Sequence, residues 1–330
     1  LVGSEMCIRD SDWMAAAARL ARRARPLSRP NPGVAALVVH KGRVIARGWT
    51  QAGGRPHAEA VALAGLAPGV LAEATLYVTL EPCAHTSPRG PACADLIVDA
   101  KPARVVIGQH DPDPRTAGQG RVRLEAAGIA TTLLDDPASA ASLAGFLTRQ
   151  RLGRPWVTLK LATSLDGCIA LADGTSQWIT GEGARAHVHA RRAQHDAILV
   201  GGGTWRADSP RLDVRLPGLE ARSPQRVVLT RGAAPEGTTT LAAPQDIAGL
   251  AGVLHLYVEG GAETAAAFLA ADLVDALHLY RAPILIGDGR RSLGALGLAS
   301  LAEANGRWRM HDSRQLGSDR FEVYLRTRTI

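Results

Sequence analysis

The sequence contains no run of about 18 apolar residues, so it predicts no membrane-spanning helix. Aromatic residues make up only 4% of the 330 residues, and they do not alternate with basic residues as they do in proteins that bind single-stranded nucleic acids. The formal net charge is nevertheless +7, carried mostly by arginine. Because this charge is spread over both halves of the chain, we expect arginines that contact a phosphorylated small ligand rather than a nucleic-acid partner.

Cysteine is also scarce. Cys7, Cys83, Cys93 and Cys168 are too few and too widely spaced for the disulfide framework of a small secreted domain. We therefore expect a reducing compartment and a cytoplasmic location.

The length of the chain predicts two domains, since a domain typically has about 150 residues. The composition is that of a globular protein, with 46% hydrophobic residues. Gly153-Arg154-Pro155 interrupts the pattern, so we place the domains at 12–153 and 154–330. Residues 1–11 lack the apolar core and cleavage site of a signal peptide, and we interpret them as a tail or a non-native leader.

One stretch of the first half has the spacing of a metal site. His57, Cys83 and Cys93 offer one imidazole and two thiols. Zinc held by three protein ligands keeps an open fourth position, which is typical of catalytic rather than structural zinc. Zinc makes hydroxide available near neutral pH by lowering the pKa of a bound water, and Glu59 is placed to move the proton. The order H-x-E, then P-C and a second cysteine, is that of zinc deaminases acting on pyrimidine or purine amines.

A structural zinc site is the alternative. His85 follows Cys83 by two residues and could supply a fourth ligand. A site with four protein ligands would be closed to water and would not catalyse hydrolysis.

Helices alternate with strands along the chain, which predicts the α/β class and a three-layer α/β/α first domain. We predict one helix over Asp12–Arg25 that is capped by Asp12, and another over Ser139–Leu152. Val34–Val39 and Arg43–Arg47 predict a hairpin, and Phe321–Arg326 predicts a closing edge strand.

Two glycine turns in the second half follow predicted strands. Gly201-Gly202-Gly203-Thr204 is predicted to be a loop whose backbone amides could hold a phosphate, and Glu259–Thr264 is suited to a pyrophosphate. The signal is weak, because no G-x-G-x-x-G is present. The turn Ser164–Gly167 is either ligand-facing or an ordinary Asp-Gly turn.

Taken together, the motifs of the first half resemble the deaminase half of the RibD family of bifunctional riboflavin-biosynthesis proteins, a member of the cytidine deaminase-like superfamily. The matching residues are Pro30-Asn31-Pro32, His57-Ala58-Glu59, Thr79–His85, Asp111–Pro114 and Ala117-Gly118. By this resemblance His57, Cys83 and Cys93 are the zinc ligands. Glu59 is the proton shuttle, and Asn31 holds the substrate ring.

The second half is similar to the reductase domain of the same family, which is similar to dihydrofolate reductase. The matching segments are Leu159–Gly167, Ser176–Thr180, Asp196–Gly201 with Thr204, Asp208–Pro210 and Val258–Gly261. The resemblance implies NADPH contacts from Ala162, Trp178, Thr204, Asp208, Gly260 and Gly261. It implies substrate contacts from Ser176, Arg192, Leu212, Arg215 and Glu259. Lys160 is a candidate proton donor or electrostatic helper, and Arg192 and Arg215 suit a ribose phosphate.

Three positions depart from the family pattern. The loop Thr86–Ala92 before the second cysteine is one residue longer than usual, Cys168 stands where a basic residue is common, and Thr230 stands where aspartate is common. The longer loop puts its substrate contacts in doubt but not the metal.

The resemblance implies two enzymes on one chain, a zinc-dependent deaminase of a phosphoribosylamino-diaminopyrimidinone and an NADPH-dependent reductase that opens the ribosyl group to a ribityl chain. The alternatives are a nucleoside or tRNA-type deaminase with an unrelated second domain, a reductase whose zinc domain is only structural, and a non-enzymatic nucleotide-binding module. A homo-oligomer is a further expectation.

Overall fold

The computed structural model describes residues 2–67, 69–85 and 87–328, with side chains from Asp10 onward. The chain divides into two compact units, Leu1–Gly153 and Arg154–Ile330. Within the described ranges, no helix has both the length and the apolar character needed to cross a membrane. Thr86 of the lengthened loop lies outside the described residues, as does Leu1 of the predicted leader.

Helices and strands alternate in the first unit. Its helices are α1 (Val2–Ala21), α2 (Ala58–Leu63), α3 (Cys93–Ala100), α4 (Gln119–Ala126), α5 (Pro137–Ser142) and α6 (Ala144–Leu152). Its strands are β1 (Ala35–His40), β2 (Arg43–Trp49), β3 (Thr75–Val78), β4 (Arg104–Ile107) and β5 (Ala130–Leu133).

These strands form one mixed sheet in the order β2-β1-β3-β4-β5. β1 pairs antiparallel with β2 and β3, which confirms the predicted hairpin, and β3, β4 and β5 are parallel. The carboxyl ends of β3 and β4 therefore lie at the same edge. The segments after them meet there, where the Glu81 N–H donates to the Gln109 carbonyl at 2.9 Å.

Both faces of this sheet are covered. Leu37 and Tyr77 pack with Met14 of α1 on one face. Val38 and Leu76 point the other way, because side chains alternate along a strand, and both are fully buried. The first unit thus has the predicted α/β/α layers.

The second unit contains a larger sheet. Its helices are α7 (Glu182–Arg192), α8 (Gly202–Asp208), α9 (Ala262–Ala270) and α10 (Leu301–Ala304). Its strands are β6 (Trp156–Thr163), β7 (Cys168–Ala170), β8 (Ala197–Gly201), β9 (Gln225–Leu229), β10 (Thr239–Leu241), β11 (His255–Val258), β12 (Ala276–Arg281), β13 (Arg290–Arg291), β14 (Trp308–Leu316) and β15 (Asp319–Arg326).

The sheet of the second unit has the order β10-β9-β8-β11-β6-β12-β15-β14, and β7 and β13 form a separate antiparallel ribbon. From β10 to β12 all pairs are parallel, whereas β15 and β14 are antiparallel. Leu256 and Val258 of β11 pack with Phe268 of α9, and Tyr257 between them packs with Val188 of α7. The central strand is therefore buried on both faces, as in α/β folds.

The structure corrects the predicted start of the first helix. α1 begins at Val2, so Asp12 lies inside the helix and is not its cap. Glu, Met and Arg upstream of Asp12 are good helix formers, which explains the longer helix. Asp10 is buried and accepts hydrogen bonds from the Tyr77 hydroxyl at 2.7 Å and the Arg104 guanidinium at 2.7 Å. The interpretation of residues 1–11 as a leader stays a prediction.

Two further predictions of elements were wrong. The region 139–152 is not one helix, because Asp136 caps a helix at Pro137 and the chain breaks at Leu143 before α6. The closing edge strand is β14 rather than Phe321–Arg326, since β15 lies between β12 and β14. β14 carries mostly polar residues, so it has little of the apolar alternation that predicts a strand.

A buried ion pair at the start of β6 gives a prediction for stability. Asp275 accepts hydrogen bonds from Arg154 at 2.7 and 2.9 Å and from the Val157 N–H at 2.8 Å, and its side chain is only 2% exposed. We expect Asp275→Asn to lower the free energy of unfolding by about 3 kcal/mol, because it leaves a buried guanidinium without its counter-charge. Urea unfolding of the full chain would measure it.

Asp272 provides the matched control, because it also pairs with arginine but is 54% exposed. We expect Asp272→Asn to cost under about 1 kcal/mol. Equal shifts in the two variants would contradict the assignment of stability to the buried pair.

Two candidate active sites

The three predicted metal ligands converge in the first unit. His57 caps α2, Cys83 lies in the loop after β3, and Cys93 is the first residue of α3. Their ligand atoms all lie within 4.8 Å of one another. His57 Nδ1 is 3.2 Å from Cys93 Sγ and 3.6 Å from Cys83 Sγ.

These separations fit a tetrahedral zinc ion. Zinc–nitrogen and zinc–sulfur bonds of roughly 2.1 and 2.3 Å place a nitrogen and a sulfur ligand about 3.5 Å apart. His85 does not join the cluster, because its Nδ1 contacts the Thr116 hydroxyl at 3.2 Å. Among the residues that the structure describes, the donor set is thus one nitrogen and two sulfurs, which leaves a fourth position for another ligand.

The two thiols are hydrogen-bonded to each other. This hydrogen bond lowers the pKa of Cys83 and raises that of Cys93. The Cys93 backbone N–H also donates to Cys83 Sγ at 3.3 Å. Both cysteines would bind a metal as thiolates, and the lowered pKa of Cys83 favours that form.

Glu59 lies in the first turn of α2 and is only 3% exposed. Burial raises the pKa of its carboxyl group above the usual 4.5, and the charge of Cys83 raises it further, although His57 acts in the opposite direction. A carboxyl group with a raised pKa binds and releases protons nearer to neutral pH.

Glu81 holds the loop that carries Cys83. Its buried carboxylate accepts the backbone N–H groups of Gly118 and Arg121 at 3.1 Å each, and His110 Nδ1 lies 2.9 Å away. These N–H groups stand at the start of α4, where a negative charge is favourable. The sequence did not reveal this role, because Glu81 and α4 are far apart along the chain.

The other residues predicted near the zinc site are held by the backbone of the turn Ala52–Gly54. Asn31 Nδ2 donates to the Gly54 carbonyl at 3.1 Å. Gly54 has φ +84°, and a Cβ there would lie 2.5 Å from the Asn31 side chain, so the position requires glycine. Arg89, in the lengthened loop, donates to the Gly53 carbonyl at 2.7 Å.

The second unit contains a cavity of about 1080 Å³. It lies at the carboxyl ends of β6, β8 and β11, where ligands bind in open α/β sheets. The predicted reductase residues that line it are Lys160, Ala162, Ser176, Trp178, Arg192, Thr204, Asp208, Arg215, Glu259, Gly260 and Gly261. Leu212 does not line it, because its side chain is buried with Ile198 and Val200.

Glycine is needed where the cavity meets α9. A Cβ on Gly201 would lie 2.2 Å from the Thr264 hydroxyl, and a Cβ on Gly260 would lie 2.5 Å from Thr264 Cβ. The segment Gly201–Thr204 is not a loop as predicted, because α8 begins at Gly202. Both glycine turns therefore lead directly into helices.

A buried group of charges forms one wall of the cavity. Glu259 accepts two hydrogen bonds from Arg192, at 2.7 and 2.9 Å, and Lys160 Nζ lies 3.9 Å from it. Burial is the largest single effect on Glu259 and would raise its pKa. The charge and hydrogen bonds of Arg192, together with the charges of Lys160 and His189, outweigh burial and lower that pKa. Burial lowers the pKa of Lys160, although Glu259 opposes the shift.

The two predicted phosphate arginines are not equivalent. Arg192 Nη1 also donates to the Asp213 carbonyl at 3.0 Å, so this guanidinium is largely occupied by the protein. The side chain of Arg215 is 53% exposed, and its contact with Asp213 is 3.5 Å. Arg215 is thus the freer cation.

Trp178 forms an exposed wall of the same cavity. It is 64% exposed, and the Arg185 guanidinium stacks over its ring at 4.7 Å. This cation–π contact gives a flat surface at the mouth of the cavity.

Comparison with known proteins gives a family match for both units. The protein-family model for the cytidine and deoxycytidylate deaminase zinc-binding region matches residues 8–109, and that for the RibD C-terminal domain matches residues 155–321. The chain is 37% identical to the riboflavin biosynthesis protein RibD of Escherichia coli, over 94% of this chain and 98% of the relative. It is 40% identical to that of Bacillus amyloliquefaciens, over 83% and 85%.

Two solved structures are similar to almost the whole chain. A structure of Acinetobacter baumannii RibD is similar with a TM-score of 0.85 and 33% identity, covering 98% of this chain and all of that one. A deaminase/reductase from Thermotoga maritima, described as acting on a diaminohydroxyphosphoribosylaminopyrimidine and a 5-amino-6-(5-phosphoribosylamino)uracil, has a TM-score of 0.86 at 29% identity, covering 98% of this chain and all of that one.

These matches confirm the predicted α/β fold, the zinc-dependent deaminase domain and the NADPH-dependent reductase domain. They also decide against a nucleoside or tRNA-type deaminase with an unrelated second domain, because the second unit matches the RibD reductase. The chain therefore belongs to the RibD family, the bifunctional deaminases and reductases of riboflavin biosynthesis.

Proposed function

We propose that the chain converts 2,5-diamino-6-(5-phosphoribosylamino)pyrimidin-4(3H)-one in two steps, a hydrolytic deamination in the first unit and a reduction of the ribosyl group to ribityl in the second. The observation that carries the first step is the cluster of His57, Cys83 and Cys93 beside the buried Glu59. A purely structural zinc would not need a buried carboxyl group beside its ligands.

In the first step, His57, Cys83 and Cys93 would hold a zinc ion, which when bound would make a water-derived nucleophile available at neutral pH. Glu59 accepts a proton during attack and delivers it to the leaving amine, a task for which its raised pKa is suited. Asn31, fixed by its bond to Gly54, orients the pyrimidine ring.

Glu59→Gln tests this assignment. We expect ammonia release to fall by about 10²- to 10⁴-fold, because glutamine cannot transfer the proton. Zinc content and reduction of the already deaminated substrate should stay at wild-type levels. Glu73→Gln is the control, because Glu73 is 68% exposed and pairs with His40 and Lys41, away from the metal ligands. Undiminished ammonia release from Glu59→Gln would contradict the role of Glu59.

In the second step, the residues proposed to contact NADPH are Ala162, Trp178, Thr204, Asp208, Gly260 and Gly261, all of which line the cavity. NADPH supplies the hydride. Those proposed to contact the substrate are Ser176, Arg192, Leu212, Arg215 and Glu259. These assignments are supported by the position of the cavity at the strand ends and by the residues that line it. Leu212 does not line the cavity, and its assignment rests on the family resemblance alone.

Lys160 is proposed to donate a proton to the sugar oxygen that departs when the ring opens. Its ammonium group lies beside Glu259 in a buried wall of the cavity, and burial lowers its pKa. A lowered pKa makes the lysine a stronger acid than an ordinary one, which favours donation.

A pH profile of the reductase tests the role of Lys160. The protonated form is the active one and is lost as pH rises, so kcat should fall in the alkaline range below pH 10.5, the usual pKa of lysine. Lys160→Met should lower kcat by about 10²-fold or more, leave the KM for NADPH unchanged and abolish this alkaline fall. A fall that persists in Lys160→Met would assign it to another group.

We also propose domain limits at residues 12, 153 and 154, a cytoplasmic location, a homo-oligomer and the absence of a nucleic-acid partner. These proposals rest on the sequence patterns given above. For the last of these, RNA binding that weakens steeply with salt would be contrary evidence.

A further inference from the structure

The reductase cavity contains a histidine that has no part in the scheme above. His189 lies on α7 and lines the cavity. Its Nδ1 is 3.2 Å from the backbone nitrogen of Arg215 and 3.2 Å from the carbonyl oxygen of Asp213. Within the described part of the chain, its Nε2 has no hydrogen-bond partner.

The neighbouring backbone fixes the tautomer of His189. The Arg215 N–H points at Nδ1 and needs an acceptor there. The Asp213 carbonyl already accepts a hydrogen bond from Arg192 Nη1 at 3.0 Å. An unprotonated Nδ1 satisfies the Arg215 N–H, and a neutral imidazole then carries its proton on Nε2.

The charges around His189 favour the neutral ring. Burial lowers its pKa below the usual 6.5, and the positive charges of Arg192 and Arg215 lower it further. The hydrogen bond with the Asp213 backbone and the charge of Glu259 have weaker opposing effects on this pKa. At neutral pH the Nε2–H is therefore a fixed hydrogen-bond donor on a residue that lines the cavity.

A half-exposed cation, Arg215, also lines the cavity. Arg192 is bound to Glu259 and to the Asp213 carbonyl, whereas Arg215 is half-exposed with one long contact to a carboxylate. A neutral N–H donor next to an available guanidinium is a suitable pair for a phosphate group, whose oxygens accept several hydrogen bonds at once.

We propose that His189 donates its Nε2–H to a phosphate oxygen of the reductase substrate, with Arg215 supplying the positive charge. His189 would then contribute to the selection of the phosphorylated substrate. The inference rests on the proposed reductase function, because that function supplies the phosphate-bearing ligand.

Two substitutions separate the two ring nitrogens. His189→Asn places an amide oxygen near the position of Nδ1, so it keeps an acceptor for the Arg215 N–H but leaves nothing at Nε2. His189→Gln reaches the position of Nε2 with an amide N–H but has no acceptor near Nδ1. We expect His189→Asn to raise the KM of the deaminated phosphate substrate about 10-fold or more, as for loss of a hydrogen bond to a charged group.

The same variant should weaken binding of inorganic phosphate, measured by calorimetry, by a similar factor. His189→Gln should recover most of both losses, and the KM for NADPH should be unchanged in both variants. ¹⁵N NMR of the histidine rings at pH 7 should show a signal from a ring that is protonated on Nε2. This signal should be absent in His189→Asn, and in the wild type it should shift when phosphate is added.

His187 provides the matched control on the same helix. Its Nδ1 contacts the Tyr280 hydroxyl at 2.9 Å and its Nε2 contacts Arg191 at 3.2 Å, so both nitrogens are used inside the protein. His187→Asn should lower the melting temperature without changing the KM of the substrate or phosphate binding.

Wild-type KM and phosphate affinity in His189→Asn would overturn the proposal. Equal losses in His189→Asn and His189→Gln would also overturn it, because they would show that an N–H at the position of Nε2 does not restore phosphate binding. A wild-type protein that does not reduce the substrate would instead contradict the proposed function, and phosphate calorimetry would still test His189.

Discussion

The contact of His57 Nδ1 with two cysteine sulfurs is the constraint on which the first unit depends. It brings together the start of α2, the loop after β3 and the start of α3. The surrounding packing leaves little freedom for this arrangement, since a Cβ on Gly48 would lie 2.1 Å from the backbone of α2 and one on Gly120 would lie 2.0 Å from the Pro82 carbonyl. A single donor set therefore fixes the positions of three segments and, with them, of Glu59.

In the second unit, a buried carboxylate is stabilised by a neighbouring positive charge. Glu259 stays ionised in the cavity wall because Arg192 binds both of its oxygens, and this bond in turn occupies Arg192. Under the proposal above, phosphate recognition therefore falls to Arg215 and His189. In both units a buried carboxyl group is tuned by its neighbours, with its pKa raised at Glu59 and lowered at Glu259.

The sequence predicted the features that arise from local patterns. The hairpin β1–β2, the metal-ligand spacing and the strand–glycine–helix turns were all visible in short segments. Features that depend on distant segments were not visible, such as the support of Cys83 by Glu81 at α4 and the contact of His189 Nδ1 with the backbone N–H of Arg215. The edge strand β14 escaped prediction because its residues are mostly polar, and the start of α1 was misplaced because an aspartate can lie inside a helix as well as cap it.

The central claim is that one chain performs both reactions, and the mass of its product tests this most directly. Zinc-loaded protein would be incubated with the diaminopyrimidinone phosphate, with and without NADPH, and the products analysed by LC-MS. We predict conversion of the amine to a carbonyl without NADPH, and addition of two hydrogens only when NADPH is present. Absence of deamination, with the deaminated substrate still reduced, would contradict the account of the first unit and would point to the lengthened loop before Cys93.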